Sequence, residues 1–574
     1  MRYQPIYDIA EICARKQITD VILCPGSRCA PLTLAFTRHE RIHTRTISDE
    51  RSAAFIALGI AQSTGRPVAL VSTSGTAAYN FAPAIAEAFF SHTPLVVFTA
   101  DRPAEWIAQH DGQTIFQREL YGKHVKKFFE LPQDYEHADS LWAINRIINE
   151  AINLSVQAPT GPVHINAPFR EPLYPDKDQD AISYSDVRII DVLAGHPRLS
   201  PEAKDFIRAE WRRFHNVLLV GAQHVRDERL LAAVSSFRAT HHVPVVHDII
   251  SNLHEAGHTI QHSDLFLGHA SDSVREMLRP DLLITFGDSL VSKNLKLYLR
   301  KYRPHIHWHI QPAGVAADTF RTLTHTFHTT PSEFLEYVTS IEPAGDFDGQ
   351  KQKNYLNLWD AEERRVTRVF TAFFADKKLD ELSVVKGVLD RLPDGSSLHL
   401  ANSMSVRYAN LSGLSPEKRD VRVFSNRGTS GIDGSTSTAV GHALSSGRPN
   451  FLITGDLAFF YDRNAFWHNY PLENLRILLL NNHGGLIFDI LEGPASTPEA
   501  GEYFITRQKL NGRKLCEEFG FEYLKVDNTR KIDNLLRDFF TFEGSVKVLE
   551  LETDTKTNRE VLVELRQKIK HSYE

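Results

Sequence analysis

Cysteine is scarce in this chain, four among 574 residues, and methionine scarcer still at three. Cys13, Cys24, Cys29 and Cys516 fit neither a zinc-binding spacing nor a redox CxxC pair. A disulfide framework and a thiolate metal centre are therefore not expected, and a reducing compartment, the cytoplasm, is. Long hydrophobic runs are missing as well. No stretch approaches the ~20 apolar residues that span a bilayer, so membrane insertion is not expected. The first residues, MRYQPIYDIAEICARKQ, include acidic side chains and read as an amphipathic helix, not as a secretory or transit signal. Nor is there an excess of positive charge: 65 Lys and Arg against 71 Asp and Glu leave a net charge of -6. A nucleic-acid-binding surface is not expected, and anionic substrates would need a local basic pocket. Histidine is plentiful at 27 but scattered, and the pairs at 305–307 and 307–309 suit an exposed strand face better than a metal site.

The remaining composition, 42% hydrophobic and 24% charged with a mean hydropathy of -0.28, is that of a soluble globular protein. A chain this long splits into about three or four domains. Two polar, proline-containing stretches, 171–186 and 340–354, mark the breaks and predict domains at 1–175, 186–340 and 355–574. The outer two share a rhythm of short β-branched runs, each followed by a Gly/Ser/Asn/Asp loop and a helical stretch. DVILC runs into Pro25-Gly26-Ser27-Arg28, TRTIS into Asp49-Glu50, VALVST into Ser74-Gly75-Thr76 and PLVVFTA into Asp101-Arg102-Pro103. Near the other end SLHLAN leads to Ser403, VRVFS to Asn426-Arg427, FLITG to Asp456 and RILLLNN to His483-Gly484-Gly485. Such alternation predicts an α/β fold with mostly parallel sheets flanked by helices, and ligands at the carboxyl ends of the strands. The middle segment, with NVLLVG and DLLITFG as buried strands, reads as a third α/β domain. Ala222-Gln223-His224 after the first of them lacks the glycine spacing of a dinucleotide fingerprint, which disfavours bound FAD or NAD.

Three groups of residues carry chemistry. Asp456 and Asn482 stand 26 residues apart, each after a strand. A carboxylate, an amide oxygen and a backbone carbonyl, that of Gly484, are three hard ligands. They leave room for two diphosphate oxygens and a water around an octahedral Mg²⁺, with Mn²⁺ an alternative. Glycines nearby let the backbone approach a diphosphate. This motif resembles the diphosphate-binding motif of thiamine-diphosphate enzymes. The second group is Glu50, in the first turn of a helix, where the helix dipole favours an acid whatever its function. The third is cationic: Arg28, Arg102, Lys293, Arg407 and Arg427 lie at or just beyond strand ends. Arginine forks there suit substrates with several carboxylates and serve plain pyruvate poorly.

CPGSRCAPLTLAF, DERSAAFIALGIA, TADRPAE, SNRGTSGIDGSTSTA, GDLAFFYDRNA and NNHGGLIFDIL together resemble the MenD family of thiamine-diphosphate-dependent synthases, over about residues 5–495. SNRGTSGIDG discriminates most, since other thiamine-diphosphate enzymes do not usually share it. The resemblance implies an N-terminal pyrimidine-binding domain, a middle α/β domain and a C-terminal diphosphate- and metal-binding domain. It implies a transferase that decarboxylates 2-oxoglutarate and adds the resulting succinic-semialdehyde carbanion to isochorismate, in menaquinone biosynthesis. Glu50 is then the catalytic carboxylate at the aminopyrimidine, with Arg407 and Arg427 as further catalytic residues. Ile432 props the cofactor, and Ser403, Gly431, Leu457, Leu486, Ile487 and Phe488 join Glu50, Asp456 and Asn482 around it. The metal takes Asp456, Asn482 and Gly484. Ser403, Arg407 and Arg427 face the succinyl group; Ser27, Arg28, Arg102, Gln113 and Lys293 face isochorismate; Leu491 belongs to the apolar wall above the cofactor. The family also implies a homodimer or homotetramer, with Glu50 and Asp456 serving one site from different subunits.

This chain departs from the pattern twice. Asn294 follows Lys293 where arginine is expected, and His483 stands where Asn or Asp is usual. Two rival readings stand beside this one. An acetolactate-synthase or 2-oxo-acid-decarboxylase type shares cofactor and fold, but the arginine set speaks against it. A non-catalytic binding protein of the same fold is opposed by intact Glu50, Asp456 and Asn482.

Overall fold

The β-branched runs picked out in the sequence become short strands, most of them buried on both faces, as parallel strands sandwiched between helices are. The structure, a computed structural model, describes residues 3–175, 182–193, 195–342, 349–375, 379–490, 492–528 and 532–574. Among them three parallel sheets form. The first contains β1 (Asp20–Leu23), β2 (His43–Thr46), β3 (Val68–Ser72), β4 (Leu95–Asp101), β5 (Phe128–Glu130) and β6 (Val163–Pro168), in the order β2-β1-β3-β4-β6-β5. The second contains β7 (Val217–Gly221), β8 (Val245–His247), β9 (Leu282–Phe286), β10 (Ile306–Gln311) and β11 (His325–His328), in the order β11-β10-β9-β7-β8. The third contains β12 (Ser397–Leu400), β13 (Arg422–Phe424), β14 (Asn450–Gly455), β15 (Leu475–Asn481), β16 (Glu522–Val526) and β17 (Lys547–Glu552), in the order β13-β12-β14-β15-β17-β16.

Relabelled from their own first strands, the first and third sheets have the same order. In each the chain leaves the first strand for one neighbour and returns to the other side. That switch leaves a crevice at the carboxyl ends, between β1 and β3 and between β12 and β14. The polar β2, HTRT, is an edge strand, where exposed charge and threonine are tolerated.

The described chain forms two compact units. One comprises Met1–Ala194 with Asn426–Gly447 and Ala458–Leu475; the other comprises Gly195–Ser425, Arg448–Leu457 and Arg476–Glu574. In the first, the helix Glu50–Thr64 packs on the helix Ser435–Ser445 at backbone contact. A Cβ on Gly59 would stand 2.1 Å from the Thr438 carbonyl oxygen, and one on Gly441 would stand 2.2 Å from that of Ile56, so only glycine fits. In the second, one core holds Leu219, Ile284, Trp308 and Phe334. A larger one runs from Leu218 and Leu283 to Leu398, Leu478 and Leu549.

Two expectations change. The polar stretch ending at residue 354 is in part helix: Gly349–Phe373 is continuous, because Tyr355, Trp359, Val366, Phe370 and Phe373 recur at helical spacing and are buried. The histidines at 305, 307 and 309 do not form an exposed strand face. His307 is buried and shares Thr285 with His309, at 2.9 and 2.8 Å, and burial pushes the His307 ring down to about 4. All four cysteines are free and buried. No described helix is long and apolar enough to cross a membrane.

Candidate active site

At the carboxyl end of the first sheet, the loop after β1 lies against the loop after β3. A Cβ on Gly26 would stand 2.3 Å from that of Thr73, so glycine is required. This presses Ser27 and Arg28 into the switch point. Ser27 stays exposed, 3.3 Å from the Tyr174 hydroxyl. Arg28 is buried and donates to the Phe169 carbonyl at 3.0 Å and to Glu171 at 3.4 Å. Burial first, and then the neighbouring Arg102, lower its pKa, so the two cations share one corner. Arg102, just past β4, donates from Nε to Asp111 and reaches Ser74 Oγ at 3.4 Å. Gln113 is exposed with φ 57°, and its backbone lies 3.2 Å from where a Cβ on Gly75 would stand. Ser27, Arg28, Arg102 and Gln113 are thus gathered around one crevice.

The two acids after β2 divide the work. Asp49 caps the helix Glu50–Thr64 by accepting from the Ser52 N–H at 3.1 Å, and its other oxygen accepts from Asn464 at 2.7 Å. The helix therefore does not need Glu50 as its cap. Glu50 is half-buried and has no hydrogen-bond or ion-pair partner among the described residues. Its charge, after burial itself, helps raise the Cys24 thiol at the end of β1.

The Arg427 loop belongs to the same unit and is held by a residue the sequence did not single out. Glu87, 1% exposed, accepts from Gly428 N at 2.8 Å and from Thr429 N and Oγ1, both at 2.7 Å. Its only sequence signal is one charge inside APAIAEAFF, on a helix otherwise apolar. Arg427, Gly431 and Ile432 are half-buried along this loop. The loop ends at Gly434, where a Cβ would overlap the Phe55 ring at 2.2 Å.

In the second unit, Asp456 closes β14 and is 2% exposed. Its carboxylate accepts from Gln508 Nε2 at 2.7 Å and from the backbone N–H groups of Leu457 and Gly484, while burial raises its pKa. Asn482 follows β15. Its Nδ2 donates to Glu381 at 2.7 Å, which leaves Oδ1 a buried oxygen with no hydrogen-bond partner among the described residues. Glu381 is fully buried, which pushes its carboxyl up to about 7, and it too was not anticipated. His483 turns its Nε2 to Glu552 at 3.0 Å. Gly484 is buried, and a Cβ there would meet Ile505 at 2.8 Å. Ser403 caps the helix Met404–Ser412 with φ 69°, a strained value for a residue other than glycine. Its carbonyl accepts from Arg407 at 2.5 Å. Leu457, Ile487 and Phe488 are half-buried and Leu486 is buried. Leu491 lies outside the described residues. Lys293 is exposed and, with Arg407, Ile487 and Ile490, lines a cavity of about 720 Å³.

Residues 7–123 match the family described as thiamine pyrophosphate enzyme, N-terminal TPP binding domain, and residues 198–400 match middle domain of thiamine pyrophosphate. A 2-succinyl-5-enolpyruvyl-6-hydroxy-3-cyclohexene-1-carboxylate synthase of Cytophaga hutchinsonii is 44% identical, over 99% of this chain and 100% of its own. Synthases of the same name from Flavobacterium johnsoniae, 38% identical over 96% and 97%, and Desulfotalea psychrophila, 35% over 96% and 98%, are similar along nearly the whole length.

The chain belongs to this synthase family of thiamine pyrophosphate enzymes. The donor set in the second unit fits the family's cofactor. A buried carboxylate, a buried amide oxygen lacking any partner and a tight glycine turn are what a divalent cation and a diphosphate require. Glu381 accounts for the orphaned oxygen. When ionised it accepts only, so it draws the NH₂ of Asn482 and turns Oδ1 the other way.

Proposed function

We propose that this chain decarboxylates 2-oxoglutarate and joins the four-carbon remainder to isochorismate. The products are 2-succinyl-5-enolpyruvyl-6-hydroxy-3-cyclohexene-1-carboxylate and CO₂, in menaquinone biosynthesis. Its domains are 1–175, 186–340 and 355–574, and it works in the cytoplasm as a homodimer or homotetramer. The observation that carries the reading is the cavity in which Arg407 and Lys293 face apolar Ile487 and Ile490. Cations on an apolar wall suit a carboxylate-bearing carbon skeleton better than they suit pyruvate.

Thiamine diphosphate, when bound, would supply a thiazolium carbon that becomes nucleophilic on losing its proton, and a sink for the electrons released with CO₂. The Asp456 carboxylate, the freed Oδ1 of Asn482 and the Gly484 carbonyl would hold Mg²⁺, or Mn²⁺ in its place. Gly431, Ile432, Ser403, Leu457, Leu486, Ile487 and Phe488 enclose the cofactor and exclude water. Glu50, half-buried and without a partner among the described residues, would take the proton-handling role at the aminopyrimidine N1′. The family resemblance assigns Arg407, Arg427 and Ser403 to the distal carboxylate of the donor, Leu491 to the apolar wall, and Ser27, Arg28, Arg102, Gln113 and Lys293 to isochorismate.

CO₂ release with 2-oxoglutarate alone, with 2-oxoglutarate plus isochorismate, and with pyruvate tests the reaction. Arg407→Ala should lower kcat/KM for 2-oxoglutarate by roughly ten- to a hundredfold and change any turnover of pyruvate much less. Equal loss on both donors would make Arg407 structural. A parent enzyme that prefers pyruvate would overturn the reading.

A further inference from the structure

The cavity of about 720 Å³ is lined by a cation that the family resemblance does not assign, Arg566 on the helix Thr555–His571. On that helix Leu562 and Leu565 are buried, while Arg566 is exposed. On the same helix Arg559 pairs with Asp489 at 3.7 Å and Lys568 with Glu564 at 3.2 Å. Arg566 has no hydrogen-bond or ion-pair partner among the described residues, and neither has Lys293, on the wall of the same cavity. One carboxylate lines the cavity, Asp264, whose Oδ1 accepts from Ser292 Oγ at 2.6 Å and Asn294 N at 2.8 Å. Lys293, Arg407 and Arg566 thus stand against the single carboxylate of Asp264, an excess of positive charge that favours an entering anion.

The departure at residue 294 acquires a physical reading here. Asn294 does not present its side chain as a replacement donor, because its Nδ2 is bonded to the Asp264 carbonyl at 2.8 Å. A Cβ on Gly268 would stand 2.7 Å from that nitrogen, so the asparagine is seated against the helix Ser263–His269. The cation expected beside Lys293 must come from another element. The helix Ser263–His269 packs on both the helix Lys293–Lys301 and the helix Thr555–His571. His269, at its end, feels the charge of Arg566. Arg566 and Lys293 thus line the cavity from two helices that both pack on Ser263–His269, whereas Arg407 is tied to the Ser403 carbonyl.

We infer that Arg566 is a substrate-binding residue which, with Lys293, holds a carboxylate of the cyclic acceptor and supplies the charge that Asn294 does not. Met404, Ile487, Ile490, Leu562 and Leu565 give the same cavity the apolar walls a carbocycle needs. The inference rests on the reaction proposed above.

The test is steady-state kinetics on the full-length enzyme loaded with thiamine diphosphate and Mg²⁺, varying isochorismate at saturating 2-oxoglutarate and then the reverse. Arg566→Ala should raise KM for isochorismate about tenfold, with KM for 2-oxoglutarate within about twofold of the parent. Arg566→Lys should recover part of the loss, and added salt should weaken isochorismate use in the parent more than in Arg566→Ala. Thermal stability should not change, because the side chain is exposed and unpaired. An unchanged KM for isochorismate, or equal increases in both KM values, would overturn the role of Arg566 alone. A parent enzyme indifferent to isochorismate would overturn the reaction, and this inference with it.

Discussion

After β1 the first sheet carries Ser27 and Arg28; after β12, at the equivalent place in the third, stand Ser403 and, one helical turn on, Arg407. The next strands of the two sheets lead to Glu50 and to Arg427, the third strands to Gly75 and to Asp456, the fourth to Arg102 and to Asn482. One winding, used twice, offers the same crevice to different chemistry. Both sheets present arginines, Arg28 and Arg102 in the first and Arg407 and Arg427 in the third; the first adds a carboxylate with no partner among the described residues, and the third adds hard oxygens for a cation. Both ends rely on a buried carboxylate set back from the crevice. Glu87 holds the backbone of the Arg427 loop, and Glu381 orients Asn482. A fold of this kind places ligands at strand ends, while buried acids decide which atom each residue offers there.

The comparison breaks most visibly at Glu50. If the first sheet handles protons and the third holds the metal, Glu50→Gln should lower kcat by about 10²–10⁴-fold and leave cofactor affinity nearly unchanged. Exchange of the cofactor's C2 proton, followed by NMR, should slow in step, and unaltered exchange would remove Glu50 from that role. A smaller effect is expected at Glu381. Glu381→Gln can donate as well as accept, so Asn482 is no longer obliged to turn Oδ1 outward. Mg²⁺ affinity in the presence of thiamine diphosphate should fall about 10–100-fold by calorimetry, with little change in the unfolding of the metal-free chain. Unchanged affinity would mean that Glu381 serves packing alone.

The smallest effect concerns Asp462, another buried acid, which accepts from Ser437 N and Oγ at 2.7 and 2.6 Å at the head of the helix Ser435–Ser445. Burial pushes it from the ordinary 3.8 up to about 7. The folded chain therefore retains a proton that the unfolded chain releases. The associated stability is whole below about pH 4 and is lost as pH rises through about 7. Asp462→Asn should flatten the decline of Tm across that window, measured by calorimetry in a buffer series, and an unchanged slope would show that Asp462 titrates normally.

The strands, the α/β class and the residues at the strand ends were legible because each depends on local pattern. A β-branched run followed by a glycine loop can be read without knowing what packs on it, and Asp456 and Asn482 declare themselves by spacing. The sequence alone thus determined the family, which residues stand at the strand ends and the departure at Asn294. It could not determine burial, which is settled by residues far along the chain. Glu87 is joined to Thr429 and Asn482 to Glu381 across hundreds of residues or nearly so, and an acid on a helix reads as solvated until its partners are placed. His307 was misplaced for the same reason: alternation tells which residues share a face, not whether the face is covered. Only the tertiary structure brought Arg566 to the cavity that Lys293 lines, because the helix that carries it has the heptad-like pattern of any surface helix, and what lies opposite its exposed side is a property of packing.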